Sequence, residues 1–387
     1  MLERPISKAG WTRVAFGDVV RKVNDKVDPW DSGLERYVAG EHMDSDDLRI
    51  RRWGLIGDDY LGPAFHMRFK PGHVLYGSRR TYLRKVALAD FEGITANTTF
   101  VLETKDPARL MPELLPFLMQ TEAFHSYSIK HSKGSVNPYI NFSDLEAFEF
   151  LLPPIQEQAR LVEALSAVQE TADQFKNAIQ AGEVLIEAAL ADAFRKGSKS
   201  RPLAEWCRNL ITYGIVQAGR DIPDGIPYIR VSDMTDVDEL SLDGMLRTSP
   251  EIAHKYRRSM VKAGDLVIAL RGPVGLTHVV PPCLDGANLT QGTARISVSE
   301  DNSTEYVRWA LRSPLVKHEY SSHAKGSTFA EISLEALRKL PIPVAPFNEQ
   351  RAVSERLAAI SSAAVSARAR LTEAQRIMSH IISQVAE

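Results

Sequence analysis

Clusters of basic side chains are the part of this sequence whose chemistry is most specific. Between positions 47 and 85 arginine and lysine outnumber aspartate, and a smaller basic cluster lies between positions 255 and 271. Arginine can form bidentate hydrogen bonds with guanine, and arginine or lysine can neutralise phosphates. A solvated charged loop is the alternative for either cluster alone, and their recurrence favours nucleic acid. The candidate DNA contacts are Arg49, Arg51, Arg52, Arg79, Arg80 and Arg84 in the first cluster and Lys255, Arg257, Arg258 and Arg271 in the second.

A Lys-Gly-Ser tripeptide occurs twice, at positions 133–135 and 325–327. Glycine permits a tight turn and a close approach of the backbone to a phosphate, while lysine supplies charge and serine a hydrogen-bond donor. A hairpin in which the glycine is purely structural is an equally good interpretation. Further candidate DNA contacts are therefore Lys133, Ser135, Lys325 and Ser327.

Patterns typical of catalysis are weak in this chain. Residues 136–139, Val-Asn-Pro-Tyr, resemble the Asn-Pro-Pro-aromatic motif of adenine methyltransferases, but one proline is missing and no glycine-rich loop precedes it to hold S-adenosylmethionine. A turn that enters a strand is the better interpretation. There is no Walker loop, and the ten histidines lack the His-Glu-x-x-His spacing, so we interpret His125 and His131 as surface or turn residues rather than metal ligands.

These residues are carried by a unit that occurs twice. Four segments recur at a single displacement of 192 residues, which is hard to attribute to chance. The matched segments are 133–135 with 325–327, 157–158 with 349–350, 70–75 with 262–267, and 120–124 with 312–316. In each copy, short strand-like segments broken by glycine, proline and aspartate precede a helical segment, the Lys-Gly-Ser turn and a proline-rich end.

A long helix follows the prolines in each copy. Apolar or small residues recur in alternating steps of four and three from Leu161 to Ala193 and from Val353 to Val385. This 3.5-residue period is typical of a coiled-coil seam. The alternative is a single amphipathic helix on its own domain, but ~40 residues extend about 60 Å, too far for one small core. We therefore predict that the two helices pair antiparallel, with the two globular units at opposite ends.

The first turn of each helix contains a Glu-Gln pair. Glu157, Gln158, Glu349 and Gln350 are candidates for contact with a partner subunit. Alternatively, Glu157 stabilises the positive end of the helix it begins, which is the interpretation that we favour.

Composition limits the class of protein. The 387 residues are 44% hydrophobic and 25% charged, as in ordinary globular proteins of two or three domains. With 47 basic and 49 acidic residues, any nucleic-acid binding must depend on local patches. The two cysteines, Cys207 and Cys283, have no ligand spacing, and no signal peptide or membrane-length apolar run occurs. We expect a soluble cytoplasmic protein without disulfides or a bound metal.

Several of these motifs together resemble the specificity subunit of type I restriction-modification systems. The pattern runs from Lys-Gly-Ser through Ile140 and Leu145 to residues 151–158, and it recurs from 325 to 350. Residues 213–219 and 225–234 resemble the same family, and the second segment adds Arg230 as a candidate DNA contact. The resemblance covers nearly the whole chain, and Pro-x-x-Glu-Gln before a long helix, present twice, is rather specific.

The resemblance implies an α+β fold with a pseudo-two-fold internal repeat. Two similar mixed α/β target-recognition domains would each recognise one half of a split double-stranded DNA target, separated by a long antiparallel two-helix coiled coil. Since the second copy has Ala345 where the first has Pro153, and lacks the pattern of residues 11–20, we expect an asymmetric target. The expected domains are recognition domain 1 at 1–152, helix 1 at 153–197, recognition domain 2 at 198–344 and helix 2 at 345–387.

The resemblance further implies that this chain is not a catalyst. Methyltransferase subunits, two in our expectation, and restriction/translocase subunits would assemble on it, and S-adenosylmethionine, ATP and magnesium would bind to those partners. The competing hypothesis is a coiled-coil scaffold that binds proteins and does not itself recognise DNA.

Overall fold

The structure, a computed structural model, describes residues 8–58, 61–235, 240–323 and 331–386. It divides into two compact units, which we call unit 1 (Met1–Gln174 and Arg370–Glu387) and unit 2 (Phe175–Ala369). None of the described helices is both long and apolar enough to cross a membrane.

Unit 1 begins with the following elements, of which the last helix continues into unit 2. The strands are β1 (Thr12–Ala15), β2 (Val20–Lys22), β3 (Arg36–Val38), β4 (Gly54–Leu55), β5 (Phe65–Phe69), β6 (Val74–Gly77), β7 (Val86–Leu88), β8 (Gly93–Ala96), β9 (Thr99–Thr104) and β10 (Glu149–Leu152). The helices are α1 (Phe16–Val19), α2 (Leu115–Leu118), α3 (Glu122–Lys130), α4 (Phe142–Glu146) and α5 (Ile155–Ala193).

The strands of unit 1 form three sheets. An antiparallel sheet has the order β2-β9-β6-β7, a mixed sheet has the order β4-β3-β8-β5 with β3 parallel to β8, and β1 pairs with β10. Strand β6 is apolar on both faces because both are covered: Val74 and Tyr76 pack in a cluster with Phe124, whereas Leu75 packs on the opposite side with Phe69.

Unit 2 contains the remaining elements. The strands are β11 (Ser200–Pro202), β12 (Thr212–Tyr213), β13 (Ile226–Ile229), β14 (Arg247–Thr248), β15 (Leu266–Ala269), β16 (Thr277–Val279), β17 (Asn288–Leu289), β18 (Thr293–Ile296) and β19 (Pro341–Pro343). The helices are α6 (Pro250–Lys255), α7 (Thr304–Arg312), α8 (Pro314–His323), α9 (Leu334–Lys339) and α10 (Phe347–Ala386), whose C-terminal part belongs to unit 1.

The topology of unit 2 repeats that of unit 1. The sheets β12-β18-β15-β16 and β14-β13-β17 follow the order of β2-β9-β6-β7 and β4-β3-β8, the parallel pair β13 and β17 matches β3 and β8, and β11 pairs with β19 as β1 does with β10. Strand β15 is also covered on both faces, since Ile268 and Val267 lie in different apolar clusters. The predicted α+β fold with an internal repeat is therefore confirmed.

The predicted helix seam is also confirmed. Every seam position from Leu161 to Ala193 and from Val353 to Val385 is buried or half-buried, and none is exposed. Within unit 2, Gly182 lies against Ala364, and Asp192 lies 3.7 Å from Arg356. The later residue of α5 contacts the earlier residue of α10, so the two helices are antiparallel there. Within unit 1, Leu161 and Leu165 share a core with Ile381, Ile382 and Val385.

The Glu-Gln pairs divide into a buried and a more exposed member. The Gln158 amide donates to the carbonyls of Arg109 and Pro153 (2.9 and 2.8 Å), and its Oε1 accepts from the Met111 N–H at 2.9 Å. Gln350 repeats the arrangement, with its amide donating to Ala345 O (2.8 Å) and Asn302 Oδ1 (3.3 Å), and its Oε1 accepting from the Ser303 N–H (2.8 Å).

The structure corrects the predicted subunit contact of Gln158 and Gln350. Both side chains are buried and bonded within their own unit, so they anchor each long helix to its globular part and offer no surface to a partner. Glu157 is half-buried and pairs with Arg160, and Glu349 is exposed. For these two glutamates the subunit contact stays a prediction.

Candidate nucleic-acid interface

Residues 133–139 form a closed loop in unit 1. The Lys133 N–H donates to the Tyr139 carbonyl (2.7 Å), and the Tyr139 N–H donates to the Lys133 carbonyl (2.9 Å). Gly134 has φ +90°, a left-handed conformation that favours glycine. The tip presents Ser135 and Asn137 to solvent, and Val136 is 85% exposed. The glycine is therefore structural, and the turn it forms still displays hydrogen-bonding groups to solvent.

Helix α3 leads into this loop, and α8 takes the equivalent place in unit 2. The Thr121 hydroxyl accepts from the Phe124 N–H (3.1 Å), and the Ser313 hydroxyl accepts from the Val316 N–H (3.4 Å). Both capping side chains are buried, and a capping hydroxyl satisfies one of the otherwise unpaired N–H groups of a helix start. The starts of α3 and α8 are thus capped in the same way in both units.

The structure brings Arg79 and Arg80 beside the loop. The Arg80 N–H donates to the Pro138 carbonyl (2.6 Å), and the Arg79 guanidinium lies 5.9 Å from the centre of the Tyr139 ring. Tyr139 is 40% exposed and Tyr82, in the adjoining turn, is 51% exposed. Both arginines are exposed, and no acidic side chain of the described residues forms an ion pair with them. We call residues 79, 80 and 82 with the loop 133–139 the Arg79 face.

The backbone of Arg80 is unusual. Its φ is 49°, in the left-handed region that non-glycine residues seldom occupy. The matching position in unit 2 is Gly272, with φ 70°. The fold therefore needs positive φ at this position, and only unit 1 keeps a long cationic side chain there at a conformational cost.

Lys133 links the loop to α4 through an ion pair. Its ammonium lies 2.8 Å from Asp144 Oδ2 at the start of α4, and this hydrogen bond lowers the pKa of the Asp144 carboxyl. The charge of Lys133 is therefore balanced within unit 1, whereas the Ser135 hydroxyl remains at the exposed tip.

Arg49 and Arg51 bind helix α5. Arg49 Nε lies 3.0 Å from Asp173 Oδ2, and Arg51 pairs with Asp173 at 2.5 Å and with Asp47 at 3.0 Å. The Asp173 side chain is only 13% exposed. Burial opposes the charged form of Arg51, but Asp47 and Asp173 outweigh it and raise its pKa. Arg49 and Arg51 thus fasten the 47–51 segment to α5, and their contact with DNA stays a prediction.

Arg52 and Arg84 are also paired. Arg52 contacts Asp44, and Arg84 contacts Asp46 at 3.1 Å and Glu122 at 2.9 Å. The nearby Arg84 charge lowers the pKa of Glu122. Of the six arginines predicted from the first cluster, Arg79 and Arg80 are therefore the two without an ion-pair partner among the residues that the structure describes.

In unit 2 the equivalent of the Arg79 face is only partly described. The Ile332 N–H donates to the Leu270 carbonyl at 3.0 Å, just as the Ile140 N–H donates to the Ser78 carbonyl at 3.0 Å. Arg271 Nε lies 3.0 Å from Glu331 Oε1. The candidates Lys325 and Ser327 lie outside the described residues.

A second basic surface of unit 2 lies on α6 and the turn after it. Lys255, Arg257 and Arg258 are exposed, and the turn packs near β12, where Tyr213 is also exposed. We call these three cations the α6 cluster.

Arg230 differs from them. It is bonded to Asp233, which raises the Arg230 pKa and closes the turn that follows β13. Arg230 thus takes part in a turn, and its contact with DNA stays a prediction.

The histidine expectation was wrong for His125. Its side chain is fully buried, neither ring nitrogen has a hydrogen-bond partner in the described part of the chain, and burial, aided by Arg84, lowers its pKa to about 4. His131 is exposed and stacks on Tyr127 at 4.1 Å. Across the described ranges, no group of three or more His, Cys, Asp or Glu side chains is placed to bind a metal ion.

Three residues of the Arg79 face, Tyr82, Asn137 and Tyr139, are not among the DNA contacts predicted from the sequence. An asparagine can nevertheless bond adenine, and an aromatic ring can stack on a base. The available signal was their position in turns beside a basic residue, but the proximity of the two turns depends on the fold.

Comparison with known proteins identifies the family. A family model described as "Type I restriction modification DNA specificity domain" matches residues 10–182 and 215–375. The EcoDI specificity subunit of Escherichia coli is 28% identical over 197 residues, which are 50% of this chain and 43% of that protein. The EcoBI specificity subunit of the same species is 29% identical over 148 residues, 38% of this chain and 31% of that protein. The chain thus aligns with less than half the length of these two relatives.

Longer matches extend over most of the chain. The MjaVIII specificity subunit of Methanocaldococcus jannaschii is 24% identical, covering 91% of this chain and 86% of that protein. The type I restriction-modification S subunit from M. genitalium has a similar fold, with a TM-score of 0.63 and 14% identity over 98% of this chain and 96% of that one. A chain of another type I R-M system has a TM-score of 0.56 and 21% identity, covering 99% and 98%. Because the matched residues include most of both repeats, the chain belongs to the family of type I restriction-modification DNA specificity domains.

Proposed function

We propose that this chain is the DNA sequence-specificity subunit of a type I restriction-modification complex. Family membership supports this function, and the observation that carries it is the Arg79 face, where open cations, a hydroxyl, an amide and two aromatic rings share one exposed surface. Cations bind phosphates, and amide, guanidinium and hydroxyl groups recognise base edges. Each unit would recognise one half of a bipartite double-stranded target.

The proposed target is asymmetric. Tyr139 in unit 1 is matched by Glu331 in unit 2, and Arg80 is matched by Gly272. Side chains so different in charge and hydrogen bonding would select different bases at equivalent positions. The α6 cluster would add phosphate contacts in unit 2.

The proposed partners are methyltransferase subunits, two of them, and restriction/translocase subunits. Exposed apolar side chains on the long helices, Val184 and Leu185 on α5 and Val365 on α10, support docking of partner helices. We assign S-adenosylmethionine, ATP and magnesium to these partners, no catalytic residue to this chain, and a cytoplasmic location, where the DNA substrate lies. That the helices set the spacing of the two half-sites stays a prediction.

The protein-binding scaffold is not favoured, since both repeats match a DNA specificity domain. A domain exchange separates the two hypotheses. Residues 1–152 are replaced by the first recognition domain of a relative, the chimera is expressed with the methyltransferase subunits, and the methylated sequence is determined by methylome sequencing. We expect one half of the methylated sequence to change, and the other half to change when residues 198–344 are exchanged. A complex that assembles and methylates the original sequence in both cases would refute DNA recognition by this chain.

A further inference from the structure

Two matched contacts differ in charge between the units. Arg79 faces Tyr139 and Arg271 faces Glu331, and both pairs are antiparallel backbone neighbours at the 192-residue displacement. The arginine therefore has the same backbone setting in both units. Only the partner differs, an aromatic ring in unit 1 and a carboxylate in unit 2.

The next position increases the contrast. Arg80 in unit 1 is an exposed cation, whereas Gly272 in unit 2 has no side chain. At the two matched positions, unit 1 presents two positive charges without an ion-pair partner in the described part of the chain, and unit 2 presents one guanidinium neutralised by a carboxylate at 3.0 Å. Equivalent surfaces thus differ in the charge that a phosphate would meet.

Stability does not explain the carboxylate. The Arg271 and Glu331 side chains are 47% and 51% exposed. An exposed pair of this kind contributes about 0–1 kcal/mol. The carboxylate matters more for an approaching phosphate, because Glu331 accepts the Arg271 Nε–H hydrogen bond and carries the same negative charge as the phosphate.

We propose that Glu331 is a specificity-determining residue that keeps Arg271 from non-specific contact with DNA phosphates. The Arg79 face of unit 1 then supplies salt-dependent phosphate contacts. The equivalent surface of unit 2 supplies none through Arg271, and unit 2 binds there through contacts with the bases. This inference rests on the proposed function, since it assigns roles within DNA binding.

The test measures binding of the full chain to a random-sequence DNA duplex as a function of salt, by fluorescence anisotropy. Each phosphate contact changes the slope of log K against log salt by about 0.9, so one additional contact tightens binding about 3.5-fold more at 50 mM than at 200 mM salt. We expect Glu331→Gln to tighten binding with this steeper slope, Glu331→Tyr to do the same, and Arg271→Ala alone to leave the slope unchanged.

The double variant Glu331→Gln with Arg271→Ala distinguishes release of Arg271 from simple loss of repulsion. We expect it to return the slope to that of the wild type. Three results would overturn the inference. They are an unchanged salt slope in both Glu331 variants, a shallower slope in Arg271→Ala, and a double variant whose slope is as steep as that of Glu331→Gln. Arg79→Ala with Arg80→Gly in the same assay separates the two proposals: a shallower slope there, with no effect at Glu331, rejects only this inference.

Discussion

Removal of the open charges of the Arg79 face should weaken DNA binding without weakening the fold. The variant is Arg79→Ala with Arg80→Gly, and the glycine copies Gly272 of unit 2. Arg80 has φ 49°, and a non-glycine residue in that region costs on the order of 1 kcal/mol, so glycine relieves strain. The lower conformational entropy of an arginine chain in the unfolded state offsets part of that gain. We expect stability to stay equal or to rise by up to about 1 kcal/mol.

The size of the binding effect follows from the number of phosphates lost. If each arginine neutralises one phosphate, the slope of log K against log salt becomes shallower by about 1.8. The ratio of wild-type to variant affinity should then fall about 12-fold between 50 and 200 mM salt. No such change is expected if the two side chains only pack on the loop.

The assay is anisotropy titration of a labelled duplex at several salt concentrations, together with thermal unfolding of each variant. A matched control is Arg13→Ala with Arg21→Ala, which removes two exposed arginines of unit 1 that already pair with Glu149 and Glu103. The control should leave the salt slope nearly unchanged. An unchanged slope in the Arg79 and Arg80 variant, or equal slopes in the variant and the control, would refute the assignment of this face to DNA.

Three further predictions concern the supports of the site. Gln158→Ala should lower stability by about 2–4 kcal/mol, since it leaves buried backbone groups unpaired, whereas the exposed neighbour Gln156→Ala should have little effect in thermal unfolding. Asp173→Asn should lower stability by about 1–3 kcal/mol by weakening the Arg51 contact, and high salt in the same measurement should not abolish the difference, because the Asp173 side chain is only 13% exposed. Burial lowers the pKa of His125 from its ordinary value of 6.5 to about 4, so folding favours the neutral imidazole. The part of the free energy of unfolding that depends on this neutral form is fully present above pH 6.5 and is lost as the pH falls towards 4. Urea unfolding of His125→Phe should show up to about 3 kcal/mol less loss over that interval than the wild type, and parallel curves would contradict the prediction.

The repeat and the helix pair were predictable because they depend on local patterns. A single displacement of 192 residues identifies two copies of one unit, and a 3.5-residue apolar period requires a partner helix along one stripe. Every predicted seam position from Leu161 to Ala193 and from Val353 to Val385 is buried or half-buried, as that period demands. The α+β class follows from short strands before each long helix.

Only the tertiary structure decided which basic residues pair with an acidic side chain and which are exposed to solvent without one among the described residues. Arg51 and Arg79 are both arginines of the same basic cluster in the sequence. Asp173 on α5 neutralises Arg51, whereas no acidic group among the described residues pairs with Arg79. Gln158 is likewise buried by contacts that no local pattern predicts. Local sequence determined the periodicity, the turns and the positions of the charges, because these depend on near neighbours along the chain. Which distant group meets each charge is a property of the packed chain, and that pairing decides whether a guanidinium supports the fold or remains available to DNA.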